Sequence, residues 1–260
     1  MQAAATSPSL RRTDDGRWCA VTDGGAPKGG LGPIRNATLL MDLLARSPHL
    51  HQLTDLAQQS GMTVPTVHRL LRSLVHAEYA VQDPTTSRYG LGPAVMRLAV
   101  HHMSGSPILS ALNPFMIGLR DQLQATIGVH VLIHGEAVCI DQVEAQDRGP
   151  FRRPLHAACA WESAAGRILA AHADDEEWAR VAAARPDLHG QREEWRTAPH
   201  LVYESPDPTA PDEVAVPVSA ADGTVVAALT ADLQPASDPQ VVAAALLRTA
   251  VSGGRSIPHA

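Results

Sequence analysis

The stretch "GMTVPTVHRLLRSLVHAEYAVQDPTTSRYGLG", residues 61–92, joins a basic, leucine-rich segment to a short segment of strand-forming residues. Four apolar residues recur at the spacing of one helix face: Val67, Leu70, Leu71 and Leu74. We expect Thr63 to cap this helix and Pro65 to lie in its first turn, where a missing N–H is tolerated. The segment therefore predicts a short amphipathic helix followed by a hairpin.

Polar residues occupy the face of this helix opposite the leucines. At 100° per residue, Arg69, Arg72 and Ser73 fall on that face, and Thr66 and His68 fall on its flanks. Two arginines on the exposed face of a short helix, after a turn that contains glycine, suit a reader of the DNA major groove.

Two further helices and two strands complete this predicted module. Shorter apolar stripes upstream predict two helices, the second of which ends at Gly61. Downstream, residues 78–82 and 87–92 predict two strands with Arg88 near the tip of their turn. Three helices and a hairpin form a winged helix-turn-helix. A protein-interaction module whose basic face is only solvated is the other interpretation.

The charge of the chain is divided unevenly. The 260 residues carry a net charge of −6, but residues 31–100 hold six basic against four acidic residues, a balance of +2. Residues 101–260 hold 11 basic against 20 acidic residues, a balance of −9. The two halves are therefore expected to face different partners.

Composition excludes several classes of protein. The longest apolar runs, such as residues 241–247, are far shorter than the ~18 residues that cross a bilayer. No secretory signal follows Met1, so we expect no membrane association and a cytoplasmic location. Residues 1–31 are rich in Gly, Pro and Asp and lack an apolar period, which predicts a flexible tail.

The motifs of this chain resemble those of the IclR family of bacterial transcriptional regulators. Five segments carry the resemblance: "IRNATLLMDLLA" (34–45), "LTDLAQQSGMTVPTVHRLLRSL" (53–74), "EYAVQDPTTSRYGLG" (78–92), "RRPLHAACAWESAAGRILAA" (152–171) and "VAVPVSAADGTVVAALTA" (214–231). The resemblance implies a DNA-binding domain, a linker helix and a GAF-like domain that binds a small effector. It also implies assembly as a homodimer or a dimer of dimers.

The resemblance and the helix pattern together predict which residues contact a double-stranded DNA operator. The predicted DNA-binding residues are Arg35, Thr63, Thr66, His68, Arg69, Arg72, Ser73 and Arg88. Many members of the family carry Lys and Ser where this chain has Val64 and Pro65, so the operator sequence cannot be borrowed from relatives.

The expected fold is α+β, with a C-terminal antiparallel sheet. After the tail, we predict a winged helix-turn-helix domain over 32–93, a linker helix and hinge over 94–107, and a GAF-like effector-binding and dimerisation domain over 108–255. Within the last, two pairs of strand-like segments with helices between and after them predict a sheet whose helices cover its faces.

A small-molecule pocket is expected where the loop 155–163 meets the strand 213–218. The candidate effector-binding residues are His156, Ala158, Cys159, Trp161, Glu213 and Ala215. Their apolar surface with a few polar groups is typical of a ligand cavity. The sequence is equally consistent with an alternative in which Trp161 belongs to the core and His156 caps the next helix.

Glu213 stands where relatives often carry a cysteine. A carboxylate that enters a pocket favours a cationic or hydrogen-bond-donating ligand, because an unpaired buried charge is costly. In the alternative, Glu213 faces water at the start of the strand.

Two other functional classes stay open beside a ligand-controlled regulator. An enzyme could use Cys159 as nucleophile and His156 as base, although no third orienting residue is evident. A DNA-binding protein could instead carry a degenerate C-terminal domain that binds nothing. Widely spaced cysteines and histidines without carboxylate partners predict neither a metal site nor a cofactor.

Overall fold

The computed structural model describes residues 9–12, 18–21, 32–46, 49–145, 156–234 and 237–258. Most of the predicted flexible tail, 1–31, lies outside these residues. Two short strands are described within it, β1 (Ser9–Arg12) and β2 (Trp18–Val21), and they pair with each other. The sequence predicted no strand there. No helix in the described part is long and apolar enough to span a bilayer.

The chain divides into two compact units: residues 32–104 form the first, and residues 105–258 form the second together with β2 and most of β1. The first unit contains four helices and two strands in the order α1 (Gly32–Ala45), α2 (Leu53–Ser60), α3 (Val64–His76), β3 (Ala80–Gln82), β4 (Tyr89–Leu91) and α4 (Pro93–Ser104). The three helices and the hairpin of the predicted winged helix-turn-helix are therefore present. The predicted linker helix is α4.

Aliphatic side chains from the first three helices form the core of this unit. The fully buried residues are Leu40, Leu43, Leu44, Leu56, Val67 and Leu71. Gly61 ends α2 in the left-handed conformation, at φ 68°, as a C-terminal glycine does. Thr63 occupies the N-cap position of α3, but the predicted side-chain cap is wrong. The Thr63 hydroxyl instead lies 2.9 Å from that of Thr66.

The hairpin is extended by one residue from the loop before α2. Strands β3 and β4 pair antiparallel, and His51 forms two backbone hydrogen bonds of 2.8 Å with Tyr89 on the other side of β4. In the turn, the Asp83 carboxylate accepts hydrogen bonds from the backbone N–H groups of Thr85 (2.7 Å) and Thr86 (3.0 Å). These bonds, that of Thr86 first, lower the pKa of Asp83 and tie its charge to the turn.

The second unit is an α+β domain built on one sheet. Its helices and strands are α5 (Pro107–Leu123), β5 (Ile127–Ile133), β6 (Glu136–Val143), β7 (Ala157–Cys159), α6 (Ala164–His172), α7 (Asp175–Ala184), α8 (Arg192–Thr197), β8 (Leu201–Tyr203), β9 (Glu213–Ser219), β10 (Val225–Asp232) and α9 (Pro239–Gly254). The six strands are ordered β7-β6-β5-β10-β9-β8, and neighbours run antiparallel. The predicted α+β class with an antiparallel sheet is confirmed, and the likeness to GAF domains stays a prediction.

The pleat of the strands gives this sheet two different faces. Val129, Val216 and Leu229 lie in the core cluster that includes α5 and α9. Ala215 and Ala228 pack against α6 on the other face. The sheet is therefore covered on both sides, and α6 sits on the face that carries the candidate ligand site.

Candidate functional site

The exposed face of α3 carries the side chains that the sequence predicted for DNA contact. His68, Arg69, Arg72 and Ser73 are exposed, opposite the buried Val67 and Leu71. Of the other predicted residues, Arg35 on α1, Thr63 before α3 and Arg88 beside β4 are also exposed. Thr66 is half-buried, because it lies on the flank of the helix.

The guanidinium groups on this surface are not neutralised by nearby carboxylates. Among the described residues, no ion pair involves Arg69, Arg72 or Arg88; Glu78 pairs instead with Arg97, at 3.9 Å. A charged guanidinium fork binds a phosphate or the edge of a guanine with two hydrogen bonds. Helix α3 can therefore present the guanidinium groups of Arg69 and Arg72 to a duplex, and the hairpin can present that of Arg88.

A family model for the IclR helix-turn-helix domain matches residues 33–84. These residues contain α1, α2, α3 and the first strand of the wing. Residues 33–84 are therefore an IclR-type helix-turn-helix domain.

The IclR-type regulators that resemble this chain in sequence are matched over part of their length. The regulator BhcR of Paracoccus denitrificans is 31% identical over 174 residues, which cover 64% of this chain and 60% of that protein. The repressor IclR of Escherichia coli is 26% identical over 146 residues, 53% of this chain and 52% of the repressor. The matched segment thus spans between half and two thirds of these relatives.

Solved IclR-type structures show the same fold over nearly the whole chain. An IclR family regulator from Brucella abortus superposes with a TM-score of 0.76 at 17% identity, covering 91% of this chain and 96% of its own. An IclR homologue from Microbacterium hydrocarbonoxydans was crystallised with 4-hydroxybenzoate. It superposes with a TM-score of 0.67 at 16% identity, covering 86% of this chain and 98% of its own. Both support the predicted IclR-type fold, including its C-terminal antiparallel sheet.

In the second unit, three of the six predicted effector residues lie in the core. Cys159 and Trp161 are 4% and 6% exposed, in a cluster that also holds Trp178 and Trp195. Ala215 is fully buried beneath α6. The interpretation of Trp161 as a core residue is therefore correct.

The other three predicted residues lie at the edges of this core. Ala158 is half-buried in β7 and His156 is exposed just before it. His156 does not cap a helix, because the N-cap of α6 is Ser163, whose hydroxyl oxygen accepts from Gly166 N at 3.0 Å. Glu213 is half-buried, and its Oε1 accepts a hydrogen bond of 2.8 Å from Ala165 N. Glu213 therefore bonds the first turn of α6, and its role in ligand binding stays a prediction.

Polar residues that the sequence did not predict line the same face of the sheet. His130 on β5 pairs with Cys139 on β6, and the backbone N–H of Cys139 donates to His156 at 2.9 Å. Residues directly opposite one another point to the same side of a sheet, so these three share one face. Thr230 on β10 lies opposite both Gly128 and Ala215. The period-2 pattern of these strands was the available signal, but the register that aligns them is not local.

Burial keeps two of these groups uncharged. His130 is 6% exposed, and burial first, then the nearby His156, lowers its pKa to about 3. Burial is also the main cause that raises the pKa of the Cys139 thiol to about 11; the charges of Asp141 and Glu213 raise it further. At neutral pH the site therefore presents a neutral imidazole and a protonated thiol.

Arg167 is enclosed by aromatic rings at the edge of this region. Its guanidinium carbon lies 4.8 Å from the centre of the Tyr203 ring and 5.4 Å from that of Trp195. Its Nε donates to the carbonyl oxygen of Trp161 at 3.0 Å. This side chain ties α6 to β8, to α8 and to the turn before the helix.

We expect Cys139 and Cys159 to resist alkylation in the native protein. Both thiols are buried, and the raised pKa of Cys139 leaves almost none of it as the reactive thiolate at pH 8. Iodoacetamide followed by peptide mass spectrometry should label both cysteines slowly in buffer and quickly in guanidinium chloride. Rapid labelling of Cys159 in the native protein would instead support the hypothesis that this residue is a nucleophile.

Proposed function

We propose that the chain is a sequence-specific DNA-binding transcriptional regulator that acts in the cytoplasm. The observation that carries the proposal is the exposed, unneutralised pair Arg69 and Arg72 on the helix of an IclR-type helix-turn-helix domain. In this function α3 enters the major groove, and the wing places Arg88 on the neighbouring backbone. The relatives that match in sequence are named as transcriptional regulators and repressors, which supports the same role.

Selection of operator DNA by the purified full chain tests this function. Random or genomic fragments retained by the protein are sequenced, and the enriched site is confirmed by footprinting in ~0.15 M salt. We expect one enriched motif with two related half-sites. Retention of DNA without any enriched motif would contradict sequence-specific regulation.

A homodimer is the assembly that this function requires. One small module that makes few phosphate contacts binds DNA weakly at physiological salt, and two linked modules gain affinity through their effective concentration. Helix α4 exposes three large apolar side chains, with Met96 at 69%, Leu98 at 51% and Val100 at 56% exposure. We infer that a second copy of the chain covers this surface.

Charged substitutions on α4 should abolish the dimer. We expect the wild-type protein to sediment at twice the chain mass of 27.6 kDa, and the double variant Met96→Lys, Val100→Lys to sediment at the mass of one chain. Burying two ammonium groups in an apolar interface is unfavourable. The exposed Glu204 of the second unit supplies a control, since Glu204→Lys should leave the dimer intact. Sedimentation of the wild type as a single chain would contradict this assembly.

We further propose that the second unit binds a small effector on the α6 face of its sheet. The homologue from Microbacterium was crystallised with a small aromatic acid, which supports such a role for this fold. Binding to the native state alone raises the unfolding temperature, so a ligand screen by thermal shift distinguishes a working domain from a degenerate one. Ligands that stabilise the chain should also change its affinity for the operator.

An enzyme built on Cys159 and His156 is disfavoured by their positions. The cysteine packs in a tryptophan-rich cluster, whereas the His156 ring lies 6.2 Å from the ring of His130, on the α6 face. A nucleophile and its base need hydrogen-bond reach and access to substrate. The relatives are regulators, and regulation is the function that we propose for this chain.

A further inference from the structure

Pro65 places an apolar surface on the same face of α3 as the two exposed arginines. It is itself exposed, and it precedes Arg69 by four positions and Arg72 by seven. At 100° per residue, these spacings put the three side chains within about 60° of one another around the helix. The buried Val67 lies on the opposite side. Pro65 therefore belongs to the surface that approaches DNA in the proposed function.

The first turn of α3 has few free hydrogen-bond donors around this proline. Proline has no backbone N–H, and its ring has neither a donor nor an acceptor. The backbone N–H groups of Thr66 and Val67 both bond to the carbonyl oxygen of Thr63, at 2.9 and 3.0 Å. The hydroxyls of Thr63 and Thr66 bond to each other at 2.9 Å, which uses one of their two protons. The surface at Pro65 is therefore mainly carbon.

The major groove contains one kind of group that matches an exposed ring of carbon atoms. Recognition helices of helix-turn-helix domains place their N-terminal residues against the edges of bases. The C5-methyl of thymine is the apolar group on these edges, and the other groups are hydrogen-bond donors and acceptors. A polar edge against Pro65 would lose its water without gaining a hydrogen bond, which is unfavourable. Thymine is therefore the base that suits this residue.

We propose that Pro65 makes the operator specific for a thymine by packing against its C5-methyl group, close to the base pair that Arg69 contacts. This inference rests on the DNA-binding function proposed above and adds one base to its specificity. Four residues of α-helix rise about 6 Å, and base pairs are stacked about 3.4 Å apart. The thymine is therefore expected about two base pairs from the position at which Arg69→Ala relaxes the selected sequence.

A purely structural role for Pro65 predicts a different result. A proline in the first turn helps to start a helix, because its fixed φ suits the helical backbone. That role affects the stability of α3 and does not depend on which base stands at any position of the operator. A change made only in the DNA therefore separates the two roles.

Removal of single methyl groups from the operator tests the contact. Each thymine of the selected operator is replaced in turn by deoxyuridine, which keeps the base pair and lacks only the C5-methyl. We expect one replacement in each half-site, at the position given above, to weaken binding of the full wild-type chain by about fourfold, the effect of losing one buried methyl group. Gel-shift titrations in ~0.15 M salt measure this change.

Two variants in the same turn assign the effect to one side chain. Pro65→Ser replaces the ring by a small polar group, so thymine and uracil should be bound equally at that position. Val64→Ser is the matched control: Val64 is 42% exposed, but it lies three positions before the buried Val67, on the side of the core. This control should keep the fourfold difference. Each result is a ratio of two affinities of one protein, and circular dichroism reports whether each variant folds.

Three results would overturn the inference. One is an operator in which no thymine methyl affects binding of the wild type, and this measurement needs no variant. Another is a methyl effect in Pro65→Ser as large as in the wild type. The third is loss of the effect in Val64→Ser, which would assign the contact to that residue. Each leaves the selected operator, and with it the regulator function, standing. Absence of an enriched operator would contradict both the regulator and this inference.

Discussion

The double variant Arg69→Ala, Arg72→Ala should fold normally and lose most of its affinity for operator DNA. Both side chains are exposed on α3, and neither forms an ion pair within the described residues, so their removal leaves no buried partner unsatisfied. Each arginine that reads a base contributes about 1 to 3 kcal/mol of binding free energy, or about 5- to 150-fold in Kd. We expect the double variant to approach non-specific binding.

Gel-shift titrations at two salt concentrations measure this loss and its origin. Loss of a base contact lowers the affinity for operator DNA more than the affinity for random DNA. Loss of a phosphate contact lowers both affinities and reduces the slope of log K against log salt concentration by about one unit per site. Arg196→Ala is the matched control, because Arg196 is also exposed but lies on α8 in the second unit. If the double variant bound operator DNA as tightly as the wild type, α3 would not be part of the DNA interface.

A single methyl group at Gly166 is expected to destabilise the second unit strongly. A Cβ at this position would lie 2.2 Å from the carbonyl oxygen of Ala160 and 2.5 Å from its Cα. These are backbone atoms, so the helix and the preceding turn must move apart. Overpacking of this kind costs about 1 to 3 kcal/mol and occasionally more, and we expect Gly166→Ala at or above the upper end.

Gly118 on α5 offers the opposite case in the same unit. It is also a helical glycine, but a Cβ there meets nothing within 4 Å. Gly118→Ala should therefore stabilise the unit by about 0.5 to 1 kcal/mol, because alanine loses less backbone entropy in a helix. Calorimetry should show the unfolding temperature rise by about 2 °C or more for Gly118→Ala and fall by at least ~6 °C for Gly166→Ala. Equal shifts for both variants would contradict the close approach of α6 to the turn at Ala160.

The helices and strands of the first unit could be predicted from short-range patterns, whereas the arrangement of residues at the candidate ligand site could not. The stripe of Val67, Leu71 and Leu74 fixes α3 and its exposed face within about two helical turns, and Gly61 marks the left-handed residue that ends α2. The predicted pocket residues Cys159, Trp161 and Ala215 are buried, and their contact with a ligand stays a prediction, because apolar residues near a polar loop suit a cavity and a core equally well. Whether such a residue faces ligand or protein depends on what packs over it.

What the sequence alone determined is the resemblance to IclR-type regulators, the α+β class and the presence of two arginines on the helix face opposite the leucines. These features depend on helical and strand periods, on caps and on composition, all of which act over a few residues. Tertiary structure alone decided that Glu213 binds the N-terminus of α6 and that His130 meets Cys139 and Thr230 on one face. Strand register and the docking of a helix on a sheet are set by contacts between distant segments, and a shift of one residue would turn each of these side chains to the other face.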